Sequence, residues 1–335
     1  MLSRGTGMDS GSRVWTTGDT ARWMVLLGVA AIDMAWLAAS GKSVDADSLI
    51  WRLKWNAVLA LFAIVLAAAL PGTVSRRFPR AQKLAVRLHA PELVVTSLSI
   101  VWIALFACAM SVLSYLLVGL APPLIDVRLA AVDRALGLDW PAVHAWVRAR
   151  PVLTDVLQWF YSAGRAQLML VAFFTGIAGR YTHLREYLCM LCVSLTLVFL
   201  VSTPFPAAGA FHYYAAAGAS ISPAELSGYS HFFLLRADEL KDFSLDTMQG
   251  LVSMPSFHTA MGLIFIQGMR WSRLGLAVAV PFNLVMIVAT PTQGGHHFAD
   301  VLGGIALWLV SAALVQRLAR KRSSAVSVSL VPQGI

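Results

Sequence analysis

Long apolar runs dominate this chain, and the loops between them alternate between strongly basic and balanced or acidic, which restricts it to a membrane-spanning fold. Eight runs stand out, at residues 23–39, 55–70, 93–120, 152–178, 186–204, 256–269, 274–290 and 298–316. Crossing the hydrocarbon takes roughly 20 residues of helix, which the shorter runs reach only with their flanks. The run at 93–120 is long enough to require tilt or to project from the bilayer. The expected class is therefore all-α: a polytopic integral membrane helical bundle of about eight transmembrane helices.

Composition supports that class, since 58% of the 335 residues are apolar and only 13% are charged. A formal charge of +9 would suggest nucleic acid in a soluble domain. Here the cations cluster in short loops beside apolar runs, so orientation in the membrane explains them and no nucleic-acid partner is expected. The three cysteines, Cys108, Cys189 and Cys192, all lie inside apolar runs, which excludes a disulfide framework. They read as small packing residues.

The basic loops set a topology. Arg76, Arg77, Arg80, Lys83 and Arg87, then Arg180 and Arg185, then Arg270 and Arg273, and finally Arg317, Arg320, Lys321 and Arg322 mark alternate loops as cytoplasmic. Both termini are then inside. Residues 1–22 read as a disordered cytoplasmic leader, 23–318 as one membrane domain and 319–335 as a basic cytoplasmic tail. The first run is either a retained span, with Asp33 turned towards other helices, or a cleaved signal peptide. The expected location is a bacterial inner or plasma membrane.

The candidate chemistry lies in residues 246–304. His258 and His296 each stand where a polar loop becomes an apolar run entering from the outer side, so a site built from them opens to the periplasm or exterior. His296 and Asp300 are four residues apart, which on a helix puts them on one face. The carboxylate then holds one ring nitrogen as a donor and leaves the other free to attack. His297 points away on such a helix and reads as support for its neighbour.

At these residues the chain resembles the type 2 phosphatidic acid phosphatase superfamily. Pro255-Ser256-Phe257-His258 matches its second motif, and His296 to Asp300 the end of its third. The resemblance implies a six-helix core and a phosphohistidine mechanism. His296 would take the phosphoryl group, Asp300 would orient it, His258 would protonate the leaving oxygen, and Ser256 would contact the substrate. Helix starts favour a phosphate through their free N–H groups and dipole, so the placement suits that chemistry.

The chain departs from the pattern in two places. Ala289 and Thr290 stand where the third motif carries Ser-Arg, and Arg150-Pro151 lacks the first motif's Lys, with Val143 in its place. Phe257, where the second motif has Gly, looks more like the inositol phosphorylceramide synthase branch. That branch transfers a phosphorylated head group between lipids, which implies a lipid phosphate substrate and a lipid alcohol acceptor; simple hydrolysis is the alternative.

With the usual cations missing, the phosphate contacts are sought in Arg165, Arg150, Arg236 and Lys241. Arg165 lies well inside an apolar run, which makes it either a functional cation or the partner of a buried acid such as Asp33. The outer segment 121–151 reads as an amphipathic brace, and Phe211 to Tyr214 as an aromatic loop over the site, with Tyr213 a candidate headgroup contact. No zinc-ligand spacing or phosphate-cradling Gly loop occurs, so neither metal nor cofactor is expected. Two rival classes remain: a transporter, which leaves the histidine groups unexplained, and a catalytically idle membrane scaffold.

Overall fold

The computed structural model describes residues 15–68, 89–228 and 230–329. The basic loop at 76–87, residues 1–14 of the leader and 330–335 of the tail lie outside the described residues. The described chain is helical almost throughout, and six of its helices are long and apolar enough to cross a membrane. The protein is an all-α polytopic integral membrane protein.

Two compact units divide the chain. The first takes residues 1–113, 166–188 and 241–248. It holds α1 (Thr17–Ser40), β1 (Ser43–Val44), α2 (Ala46–Ala68) and most of α3 (Ala90–Val118). The two-residue β1 pairs in parallel with β2 (Asp242–Phe243). A capping box starts α1, with the Thr16 N–H donating to Asp19 at 2.7 Å, and Gly41 ends it in the left-handed region. Residues 17–22, expected to be disordered, are thus the first turns of this helix, because Thr16 and Asp19 satisfy its open end. Asp33 faces inward as expected and is buried, its Oδ1 without a hydrogen-bond partner among the described residues.

The second unit takes residues 114–165, 189–240 and 249–335. Its outer segment folds into α4 (Asp126–Ala135) and α5 (Trp140–Arg148), followed by α6 (Pro151–Ser162). Almost all of α7 (Gly164–Ile177) and the start of α8 (Tyr181–Ser202) belong to the first unit, and after the rest of α8 the second unit continues with the short α9 (Ala210–Ala216), α10 (Pro223–Ser227) and α11 (Ser230–Arg236). The unit closes with α12 (Phe257–Gly268), α13 (Arg273–Gln293) and α14 (Phe298–Ser329). Within it α13 packs on α6 and α12, and α14 on α12 and α4. Gly304 allows the α12–α14 contact, since a Cβ there would collide with the Ser256 carbonyl oxygen and with Thr259.

Two of the eight runs do not form single spanning helices. The run at 152–178 is broken at Ala163 into α6 and α7. The run at 256–269 becomes α12, whose 12 residues extend about 18 Å at 1.5 Å per residue, short of a hydrocarbon core of about 30 Å.

Candidate active site

α12 begins at Ser256, whose hydroxyl accepts the Thr259 N–H at 3.3 Å while its own N–H donates to the Asp300 carbonyl at 3.0 Å. Ser256 is therefore a buried helix cap that ties the two histidine segments together. His258 follows in the first turn, its ring stacked on Tyr161 of α6 with centroids 4.2 Å apart. The Tyr161 hydroxyl lies 3.3 Å from His258 Nδ1, placed to donate to it.

His296 is not on a helix. It ends the Gly294-Gly295 turn just ahead of α14, so the expected i,i+4 helical register with Asp300 does not apply. The two meet all the same, with His296 Nδ1 3.3 Å from Asp300 Oδ2. The nearer acceptor for the Nδ1–H is the Ser253 carbonyl at 3.0 Å. Asp300 Oδ2 in turn accepts the Ser253 hydroxyl at 2.6 Å and the His297 N–H at 2.9 Å. A ring that donates through Nδ1 presents Nε2 as its lone pair. The rings of His258 and His296 are 6.4 Å apart, and neither Nε2 has a partner among the described residues.

Two helices of the outer segment hold this loop. Trp140 of α5 donates from Nε1 to the His296 carbonyl at 3.0 Å, and stacks on Tyr214 with ring centroids 5.1 Å apart. Asp133 of α4 accepts the N–H groups of Phe298 and Ala299 at 3.1 and 2.8 Å. With Asp300 on the His297 N–H, the first amides of α14 are occupied by carboxylates. The expectation that this helix start offers free N–H groups to a phosphate therefore fails, and a phosphate near His296 needs other donors.

Of the four candidate cations, the structure places one at the histidines. Arg165 is exposed, makes no ion pair among the described residues, and lies close enough for its charge to act on both His258 and Tyr161. Arg236 donates to the carbonyls of Ala121 and Pro122 at 3.4 and 2.8 Å and lines a cavity shared with Ser253 and Met254. Its Nη1 is buried without a hydrogen-bond partner among the described residues. Arg150 is not brought to the site: it lies exposed over the Trp146 ring, 4.0 Å from its centroid. Lys241 belongs to the first unit, where its carbonyl accepts the Ser43 N–H.

Ser253, Tyr161, Trp140 and Asp133 carry the geometry and were not singled out by sequence reasoning as parts of the site. Tyr213, the candidate headgroup contact, packs at 5.7 Å from the His297 ring. A family model described as the PAP2 superfamily matches residues 127–314, from α4 through most of α14. No curated protein and no solved structure matches the chain.

Proposed function

Since the chain belongs to the PAP2 superfamily, whose members are generally phosphatases or phosphotransferases, we propose that it moves a phosphoryl or phosphoryl-headgroup unit from a lipid through a phosphohistidine at His296. The observation that carries this reading is the His296 ring held through Nδ1 by the Ser253 carbonyl and Asp300, opposite His258. In the first half-reaction Nε2 of His296 attacks phosphorus while the bond from phosphorus to the leaving oxygen breaks. His258 gives that oxygen a proton from its Nε2. In the second, His258 takes the proton of an incoming hydroxyl, whose oxygen attacks phosphorus as the P–N bond breaks. Arg165 steadies the phosphoryl oxygens, and Asp300 offsets the charge that develops on the His296 ring.

A lipid alcohol is the favoured acceptor, as in the inositol phosphorylceramide synthase branch. His296 is only 2% exposed, and Phe257 and Phe211 bring apolar surface to the two histidine segments. Such a site favours an alcohol over bulk water. The alternation of basic loops turns it to the outer face of the membrane. The test is purified protein given a labelled phospholipid with and without candidate lipid alcohols. A new labelled lipid that depends on the acceptor supports transfer. Release of free phosphate or phospho-headgroup at one rate whatever the acceptor makes the enzyme a phosphatase. No reaction with any phosphorylated lipid overturns the reading.

A further inference from the structure

His297 is buried with no exposed surface, and three segments converge on it. Its Nε2–H donates to Asp126 Oδ1 at 3.4 Å, and its Nδ1 lies 3.5 Å from Asp133 Oδ2. Each carboxylate also holds two backbone amides. Asp126 accepts from Ala208 and Gly209, both at 2.9 Å, and Asp133 from Phe298 and Ala299. One ring between two carboxylates on α4 therefore pins both the 208–209 turn and the start of α14. Between those two segments Ala210 donates to the Gly295 carbonyl at 2.6 Å, next to His296.

We propose that His297, as an imidazolium between Asp126 and Asp133, is a positioning residue: a charged latch that holds the loop bearing His296 in its reactive place. This rests on reading His296 as the phosphoryl acceptor. The charge balance demands the cation. Asp126 and Asp133 are both almost fully buried, and without a positive ring between them they would face each other across the space it fills. Arg236 and His212 also bear on Asp126, but no other cation stands between the two carboxylates among the described residues. The groups facing the ring are Asp126 and Asp133 from α4, Asp300 from α14, and the Tyr213 and Tyr214 rings from α9. Burial alone would lower its proton affinity. The hydrogen bond to Asp126 and the nearby carboxylates of Asp133 and Asp300 outweigh that and raise its pKa to about 9.

A group whose folded pKa is raised lends stability that is fully present below its ordinary value near 6.5 and lost as pH rises through about 9. The latch thus opens in mild alkali, and His296 loses its place. The experiment compares the full-length wild type, His297→Gln, and His297→Gln with Asp126→Asn, each in detergent. Two readouts are followed against pH: the unfolding temperature, and the single-turnover rate of phosphohistidine formation from labelled phosphatidic acid.

Wild type should lose both stability and rate as pH passes about 9, the rate falling while the protein is still folded. His297→Gln should react at least 100-fold more slowly at neutral pH and show no alkaline step. The double variant, with one carboxylate neutralised, should recover at least tenfold of that loss. A His297→Gln protein with wild-type rate and an unchanged alkaline limb overturns the latch, as does a double variant no faster and no more stable than the single one. If wild type forms no phosphohistidine, the proposed reaction is what fails. The unfolding temperatures still decide whether the latch exists.

Discussion

The Ser253 hydroxyl donates to Asp300 Oδ2 at 2.6 Å while the Ser253 carbonyl accepts from His296 Nδ1 at 3.0 Å. A single residue just ahead of α12 thus orients both members of the pair at the start of α14. Replacing it by Ala keeps the carbonyl and removes only the hydroxyl. A hydrogen bond to a charged group contributes about 1.5–3 kcal/mol, so the rate of His296 phosphorylation should fall roughly 10- to 100-fold. Single-turnover kinetics check this, and an unchanged rate would show that Asp300 holds its place unaided.

His296→Ala should abolish the phosphoenzyme, and Asp300→Asn should slow its formation by up to about 10⁴-fold, the cost seen when an orienting carboxylate becomes an amide and the wrong tautomer is favoured. Acid-labile, base-stable label on the wild type and its absence from His296→Ala is the expected pattern. Label that persists in His296→Ala places the nucleophile elsewhere.

Tyr161→Phe keeps the ring stacked on His258 and deletes the hydroxyl that lies 3.3 Å from its Nδ1. The proton on His258 is then free to sit on either nitrogen, so the step that needs a proton on Nε2 should slow by about tenfold. The loss should be largest for substrates with poor leaving groups and small for activated ones. Equal losses for both would assign Tyr161 to packing alone.

Gly295→Ala should destabilise the loop. Gly295 has φ +64°, and a Cβ there would collide with the Phe211 ring. Left-handed backbone costs a non-Gly residue about 1 kcal/mol or more, before the clash is relieved. A lower unfolding temperature is expected, together with loss of activity. Wild-type behaviour would mean that the Phe211 ring moves freely.

Ser220 lies exposed between α9 and α10, in the segment that precedes His258. Cys at this position should react with an impermeant thiol reagent in intact cells if the site faces outward. Protection until lysis would reverse the orientation, leaving the geometry of the site untouched.

His258, His296 and Asp300 were legible in the sequence because polar, titratable residues at the mouths of apolar runs carry a large desolvation cost and stand out against their surroundings. The route by which His296 and Asp300 meet was not. Their spacing suggested a shared helical face, whereas a glycine turn delivers His296 from outside the helix. The third party, Ser253, is an ordinary serine 47 residues from Asp300, and Tyr161 is 97 residues from His258. Nothing local distinguishes either from a packing residue.

Membrane class and helical content follow from the sequence alone, since the hydrocarbon core demands long apolar segments whose backbone groups bond within themselves. Which runs form single long helices was decided only by tertiary structure: 152–178 breaks at Ala163 and 256–269 stops after three turns. The same holds for the carboxylates of α4. In sequence Asp126 and Asp133 belong to an amphipathic outer segment, yet in the fold they are buried against His297 and the first amides of α14. Hydropathy records how much water a segment avoids. It carries no record of which partner replaces that water, because a buried charge is matched by groups distant in the chain and near only in space.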